Sequence, residues 1–398
     1  MIPKIDSQIG ISVFSTNFHG IGGRIRDEAE NFDVSEVISQ KILDSISLQE
    51  GYAVYKLKKK KIDTNHALSD IFRKKGIRLK ALGLKDASAV TLQYVCADYK
   101  GKAMENFTFE KYSLDHIGYL KKPLSKKDMI GNHFRIKISD SVGNLSDFTE
   151  HEKILNFYGY QRFGSKRAVT HLVGKALLQR DFAKAVELIV SFTSIHDSKE
   201  NTEIREKLKD KLNYKTYFDQ VPPQMDTERI VIQEMIQHND PQKAIHAIPL
   251  PLRRFYIQAY QSYLFNLTLS AAFTDGENLF EAQQGDICYD FHGIIGKYVK
   301  GLDQYLALPF IGYSYYKKTR FDFQISKILE TEEIAPKDFF IKEMQEISSE
   351  GGFRQTAINC NNYSTRDTSV EFTLSRGSFA TILLREIIKP KDPLLAGF

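Results

Sequence analysis

The chain has three cysteines among its 398 residues and no long uncharged apolar segment. A membrane-spanning helix needs about 18 or more consecutive apolar residues, so we expect no membrane span. The N-terminus lacks the apolar core of a signal peptide, and the cysteines are far apart without metal-ligand spacing. A disulfide framework or zinc site is therefore not expected, and we predict a soluble protein of the reducing cytoplasm.

Motifs of the common cofactor-dependent enzymes are also missing. The glycines of residues 20–23 do not form a GxGxxG pattern, the ten histidines include no pair at metal-ligand spacing, and no GxSxG motif is present. The sequence also shows neither the clustered acids typical of a nuclease nor the Gly-rich cofactor loop of a methyltransferase. We therefore predict no cofactor and no metal site.

Positive charge is concentrated in one segment. Eleven basic and two acidic residues lie between Lys56 and Lys85, so this segment carries +9 although the whole chain carries only +5. A concentrated positive surface favours a polyanionic partner such as a nucleic acid. A solvated lysine-rich face is the alternative interpretation.

Periodicity predicts an α+β protein. Asp63 and Thr64 read as the start of a helix that ends at Gly76. A long helix with tyrosines on one packed face is expected at residues 252–269, and a stacking platform for RNA is the alternative for these tyrosines. Alternating patterns predict strands, and further helices follow from about residue 167. The predicted strands are 32–37, 52–57, 90–97, 133–138 and 369–374. Strands at both chain ends with helices between them favour one α+β domain with a mostly helical insertion.

A charged pair, Lys85 and Asp86, stands between two apolar segments just before the strand at residue 90. The preceding Gly83 permits a tight backbone path. By itself such a pair is most often part of a surface turn.

Residues 83–93 (GLKDASAVTLQ) resemble the G-L-K-D-x-x-A-V-T-x-Q motif of the TruD family of pseudouridine synthases. Four more segments resemble family motifs in matching order: residues 32–36 (FDVSE), 156–164 (NFYGYQRFG), 259–266 (AYQSYLFN) and 377–381 (GSFAT). One departure precedes residue 32, where Glu30 is followed by asparagine in place of the family's aspartate. The matched segments extend over nearly the whole chain.

The resemblance implies a particular α+β fold. It implies a pseudouridine synthase catalytic domain, with a mixed and largely antiparallel sheet, and an inserted α/β, helix-rich TRUD domain. We predict that residues 1–180 and 354–398 form the catalytic domain and that residues 181–353 form the insertion. A monomer is expected.

The resemblance also implies the reaction, with tRNA as substrate and the uridine at position 13 of the D-arm as the target. Branches of the family also modify other positions or other RNAs, and these alternatives stay open. Isomerisation breaks the C1′–N1 bond, rotates the uracil and rejoins it through C5, which needs no redox step or group donor. One ionised carboxylate must act as nucleophile or base, and the family motif assigns this role to Asp86. Attack on the base and attack on C1′ both stay open.

By resemblance, Phe32, Asn156 and Phe379 contact the substrate, and Tyr158 lines the same pocket. Arg26 and Lys85 are also expected among the substrate-binding residues. A phenyl ring can stack on a flipped uracil, and an amide can pair with its polar edge. Core packing is the alternative for each aromatic residue.

A basic group is needed to keep Asp86 ionised. Lys85 is its neighbour in sequence, but neighbours on a strand point apart. Arg26 is the better candidate, since it precedes Phe32 by six residues, where the family usually has lysine. Three further arginines in family motifs are expected to brace the site or contact RNA: Arg162, Arg354 and Arg385.

A second class of function is an RNA-binding module without catalysis, such as a chaperone that remodels tRNA. Asp86 discriminates between the two, because a pure binder has no need for a lone carboxylate among lysines.

Overall fold

A computed structural model describes residues 1–85, 87–164, 166–316 and 319–398, and divides the chain into two compact units. The first, called the sheet unit here, comprises residues 16–154, 358–390 and 395–398. The second, called the helical unit, comprises residues 1–15, 155–357 and 391–394. Each is built from segments that are distant in sequence. None of the helices in the described ranges combines the length and apolarity needed to cross a membrane.

The sheet unit is built around a sheet with nine strands in the described residues. With elements numbered along the whole chain, its strands are β1 (Phe32–Ile38), β2 (Tyr52–Lys59), β3 (Leu79–Ala81), β4 (Val90–Lys100), β5 (Phe107–Thr108), β6 (Tyr112–Leu120), β7 (Met129–Lys137), β12 (Cys360–Arg366) and β13 (Ser369–Ser375). Their order is β12-β13-β7-β1-β4-β2-β6-β5, with β3 beside β4. Within these pairs β1 and β4 are parallel and the others antiparallel. The predicted mixed, largely antiparallel sheet is confirmed.

Three helices in the described part of the chain accompany this sheet: α2 (Gln40–Asp44), α3 (Thr64–Lys75) and α12 (Ala380–Ile388). The signals that predicted α3 act as expected. The Asp63 carboxylate accepts the His66 N–H at the helix start, and Gly76 ends the helix at a left-handed φ of 71°. Ala67 and Ile71 of α3 then pack against the buried face of β2, which satisfies the apolar side of the helix.

Helix α12 is buried along its whole length, including its charged residues. The Arg385 guanidinium lies 3.0 Å from a carboxylate oxygen of Glu386, and the other oxygen of that carboxylate accepts bonds from the backbone and hydroxyl of Thr16. Arg385 is fully buried. It therefore braces the sheet unit, and its predicted role at the site stays a prediction.

The helical unit contains nine helices and a four-stranded antiparallel sheet in its described residues. The helices are α1 (Lys4–Gln8), α4 (Thr170–Leu178), α5 (Phe182–Ser191), α6 (Lys199–Lys207), α7 (Tyr214–Tyr217), α8 (Asp226–His238), α9 (Pro241–Ala247), α10 (Leu250–Thr274) and α11 (Asp322–Thr331). The strands are β8 (Ile287–Asp290), β9 (Ile295–Lys297), β10 (Gln304–Phe310) and β11 (Gly352–Gln355), in the order β11-β10-β8-β9.

Helix α10 is the central element of the helical unit. Tyr256 and Tyr260 are buried, so the predicted packed face is confirmed. Burial raises the pKa of the phenol of each, which keeps both neutral. His171 of α4 stacks on Tyr263 of α10 with ring centres 4.9 Å apart, and burial lowers its pKa from 6.5 to about 4.

The two compact units begin and end at different residues from the two predicted domains. Residues 155–180 and 1–15 pack with the helical unit, because helix α4 lies against α10 and the N-terminal residues bond to the same helix. For example, the Ser270 hydroxyl donates to the Gly10 carbonyl at 2.9 Å. The division into a catalytic domain of residues 1–180 and 354–398 and an inserted domain of residues 181–353 stays a prediction.

Acid should destabilise the protein through His171. Its folded pKa of about 4 lies below the unfolded value of 6.5, so the unfolded state binds more protons between these values. Stability is therefore lost as the pH falls from 6.5 towards 4, by about 3 kcal/mol at most. We expect the urea midpoint of wild type to fall more steeply over this window than that of His171→Phe. Circular dichroism is the suitable probe, since the chain has no tryptophan. Parallel pH profiles would contradict the assignment.

Candidate functional site

The predicted site residues fall into both units. Arg26, Phe32, Lys85 and Phe379 belong to the sheet unit, whereas Asn156 and Tyr158 belong to the helical unit. Asp86, the predicted catalytic carboxylate, lies outside the described residues. The structure therefore describes the surroundings from which it extends.

The loop before β4 follows the adjacent parallel strand β1. Where the loop ends, Val90 pairs in register with Asp33, next to Phe32. Where it begins, a Cβ added at Gly83 would lie 3.6 Å from the Glu36 carboxylate and 4.0 Å from the Met129 sulfur. Gly83 thus lies beside the C-terminal half of β1, and Val90 lies beside its start.

Lys85 forms an internal ion pair. Its ammonium lies 3.0 Å from a carboxylate oxygen of Glu36, with side chains 11% and 0% exposed. The other oxygen of Glu36 accepts the backbone N–H of Tyr94. These contacts hold the Lys85 side chain against the sheet, and its predicted contact with substrate stays a prediction.

Three buried polar residues bond to the backbone of Gly83 or Lys85 in this loop or to each other. The Thr64 hydroxyl accepts the backbone N–H of Lys85 at 2.9 Å and donates to the side-chain oxygen of Gln93 at 2.9 Å. The Gln93 amide donates to the Gly83 carbonyl at 3.2 Å. The ammonium of Lys59 donates to the carbonyls of Ile62 and Lys85.

The sequence interpretation missed these supports. Thr64 was predicted only as a residue at a helix start, and Lys59 only as a phosphate contact. One signal was available for Lys59. The alternation of Ala53, Tyr55 and Leu57, continued by two residues, places Lys59 on the buried face of β2.

Arg26 and Phe32 contact each other. The guanidinium carbon of Arg26 lies 4.3 Å from the centre of the Phe32 ring, and Nη1 donates to the Gly397 carbonyl at 2.9 Å. Arg26 has a left-handed φ of 61°, a conformation costly for a residue with a Cβ and frequent at functional sites. Phe32 is only 3% exposed, so Arg26 covers the ring that was predicted to stack on uracil.

Phe379 is the residue immediately before α12 and is half-buried. It follows β13, whose last residue Ser375 pairs with Gly131 of β7. Gly131 in turn pairs with Val37 near the end of β1. The strand register therefore places the end of β13, four residues before Phe379, level with the C-terminal end of β1. Gly83 lies near the same end of β1.

Asn156 and Tyr158 meet Arg354 in the helical unit. The Arg354 guanidinium donates to the Asn156 side-chain oxygen at 2.7 Å, and the Asn156 amide donates to the Gln355 carbonyl at 3.1 Å. The same guanidinium lies 4.0 Å from the centre of the Tyr158 ring. Arg354 was predicted to be structural or to contact RNA. These contacts support the first role.

Arg162 makes a second cation–π contact with Tyr158. Its guanidinium lies 5.3 Å from the Tyr158 ring centre and 5.2 Å from that of Phe255. Burial lowers the pKa of both Arg162 and Arg354, although an arginine remains charged at any physiological pH. The guanidinium groups of Arg162 and Arg354 both contact the Tyr158 ring. Because both are charged, the cluster is electropositive.

The basic segment of residues 56–85 does not form one surface, which corrects the predicted phosphate grip. Lys59 is buried, with 1% of its surface exposed. Lys56 stands opposite Tyr94 in register, on the sheet face away from α3. On α3, Lys74 and Arg73 hold the pKa of the Asp70 carboxyl well below its usual value, so part of the positive charge is offset internally.

Comparison with known proteins places these features in a family. The protein-family model described as "tRNA pseudouridine synthase D (TruD)" matches residues 8–387. A protein named probable tRNA pseudouridine synthase D from Methanosarcina barkeri is 29% identical, with 99% of each chain covered. One of the same name from Archaeoglobus fulgidus is 29% identical over 97% of this chain and 99% of that protein.

A solved structure gives the same result for the fold. A TruD protein from Methanosarcina mazei superposes with a TM-score of 0.79 at 26% identity, covering 99% of both chains. The fold class is therefore that of an α+β RNA-modifying enzyme. The chain belongs to the tRNA pseudouridine synthase D (TruD) family.

The ion pair of Lys85 with Glu36 gives a stability prediction. Lys85→Met leaves a buried carboxylate without its ammonium and should lower the free energy of unfolding by about 3–5 kcal/mol. Adding Glu36→Gln removes that charge and should restore part of the loss. The measurement is urea unfolding of the four members of this double-mutant cycle, with the exposed Lys80→Met as control. Strictly additive losses would show that the pair contributes no coupling energy.

Proposed function

We propose that this chain isomerises one uridine of tRNA to pseudouridine, at position 13 of the D-arm, with Asp86 as the catalytic carboxylate. The proposal includes a monomeric enzyme of the cytoplasm that uses no cofactor. Family membership supports the reaction class. The observation that carries the assignment to Asp86 is the dense set of buried polar contacts on the residues immediately before it.

These contacts have a physical meaning. A surface turn needs no interior lysine, threonine, glutamine and ion pair to hold it, since water can satisfy its backbone groups. Ordering a short loop costs conformational entropy. Supporting contacts that offset this cost are typical of loops whose residues must be held in place for a reaction. The loop around Lys85 therefore resembles a catalytic support more than a solvated turn.

The target base must leave its stack before C1′ and C5 can be reached. Flipping costs a few kcal/mol, which stacking and hydrogen bonds in the pocket offset. We propose that Phe32, Phe379, Asn156 and Tyr158 take part in this recognition. Since Arg26 covers Phe32 and the Asn156 amide bonds to Arg354 and Gln355, substrate contact by these two residues requires a local exchange of partners.

Arg26 stays our candidate for the group that keeps Asp86 ionised. Its backbone strain and its position over Phe32 support a functional role. Whether the carboxylate attacks the base or C1′ is a separate question, which trapping of a covalent intermediate would decide.

Release of tritium tests the reaction directly, because C5 loses its hydrogen when the uracil is rejoined through that atom. We expect wild type to release tritium from tRNA labelled at C5 of uridine, Asp86→Asn to release none, and Asp115→Asn to match wild type. Asp115 is an exposed carboxylate of β6 in the same sheet. Normal release by Asp86→Asn removes Asp86 from the mechanism. Absence of release by wild type on all tRNAs favours the RNA-binding module.

The target position has its own test. A tRNA with cytidine in place of uridine 13 should release no tritium. Undiminished release would mean that another uridine is modified.

The exposed lysines at the end of β2 are proposed phosphate contacts. Lys58→Gln with Lys61→Gln should weaken tRNA binding and flatten the slope of log K against log salt by about 0.9 for each phosphate that the protein no longer neutralises. The matched control is Lys121→Gln with Lys122→Gln, which removes the same charge beyond the far end of β6. Equal slopes for the two double variants would exclude phosphate contact at Lys58 and Lys61. Lys59 is omitted because it is buried.

A further inference from the structure

Lys59 is an interior lysine. Only 1% of its surface is exposed, and burying an ammonium group is costly unless hydrogen bonds replace its lost water. Nζ donates to the Ile62 carbonyl at 2.9 Å and to the Lys85 carbonyl at 3.1 Å. A neutral side chain would fill the same space at a lower desolvation cost. The charge therefore indicates a role that apolar packing does not supply.

Thr64 holds the same residue of the loop from the start of α3. Its hydroxyl accepts the Lys85 N–H at 2.9 Å, and its own backbone N–H donates to the Lys85 carbonyl at 3.2 Å. The hydroxyl proton goes to Gln93, at 2.9 Å. Both backbone polar groups of Lys85 are thus bonded to Thr64, and the carbonyl is also bonded to Lys59.

The Lys85 carbonyl belongs to the peptide group that joins Lys85 to Asp86. Because a peptide group is planar, two donors on its oxygen set the orientation of the plane from which the chain continues. We infer that Lys59 and Thr64 are positioning residues that set the direction in which the chain presents Asp86. This inference rests on the proposed function.

The geometry distinguishes this role from RNA contact. Lys58 and Lys59 are adjacent on β2 but point to opposite faces, with Lys58 exposed and Lys59 buried. A buried ammonium bound to two carbonyls releases no counterions when RNA binds, so Lys59 contributes nothing to the salt dependence of binding. Neighbouring lysines therefore have separate effects, one on turnover and one on affinity.

The test is steady-state tritium release by wild type, Lys59→Met, Lys58→Met and Lys121→Met. Lys59→Met should lower kcat by about a hundredfold, the cost typical of misplacing a reacting group by about 1 Å. Its KM for tRNA and the salt slope of binding should not change. Lys58→Met should instead raise KM and flatten the salt slope, and Lys121→Met should match wild type in both constants. A raised KM with unchanged kcat in Lys59→Met overturns the inference.

Thr64 supplies a conservative pair for the same test. Thr64→Val keeps the shape but leaves the Lys85 N–H and Gln93 without the hydroxyl, so kcat should fall as in Lys59→Met. Thr64→Ser retains the hydroxyl and should restore most of kcat. Equal kcat in the valine and serine variants overturns the inference. This pair also decides the question if Lys59→Met does not fold, as judged by its urea unfolding curve.

Failure of the inference differs from failure of the proposed function. If wild type releases no tritium from any tRNA, the proposed function fails. If wild type is active and both Lys59→Met and Thr64→Val keep full kcat, only the positioning role fails.

Discussion

One buried ammonium constrains the sheet unit around the candidate site. The charge of Lys59 can be kept in the interior only if oxygen atoms replace its water, and the carbonyls of Ile62 and Lys85 provide them. The Lys85 carbonyl reaches it only when the chain before β4 folds back towards the end of β2. The backbone position of Lys85 and the burial of Lys59 therefore depend on each other.

The start of α3 connects local structure to the same loop. Asp63 caps the helix, which places Thr64 in the first turn, where backbone N–H groups have no partner within the helix. The Thr64 N–H is satisfied by the Lys85 carbonyl. A backbone N–H group at the start of α3 is thus bonded to Lys85, the residue before Asp86. The parallel pairing of β1 with β4 brings Glu36 within reach of the Lys85 side chain.

In the helical unit, an aromatic ring contacts the partly buried positive charges, whereas carbonyl oxygens do so at Lys59. Arg354 and Arg162 place their charges against the Tyr158 ring, and Asn156 accepts from Arg354. Cation–π contacts are stronger where water is excluded, so the ring can hold two guanidinium groups at a partly buried position. The positive charge of this cluster therefore comes from two arginines held by one aromatic ring.

Features controlled by short-range chemistry were predictable from the order of the residues. Asp63 and Gly76 marked the ends of α3, alternation located β1 and β13, and the motif of residues 83–93 identified the family. The partners of the motif residues were not predictable in this way. Lys59 bonds to a residue 26 positions away and Asn156 to one 198 positions away, so both contacts exist only after strands have paired. The alternation of β2 could place Lys59 on the buried face, but only tertiary packing decided which groups it bonds to and that Lys85 pairs with Glu36. These partners depend on what the rest of the chain packs against.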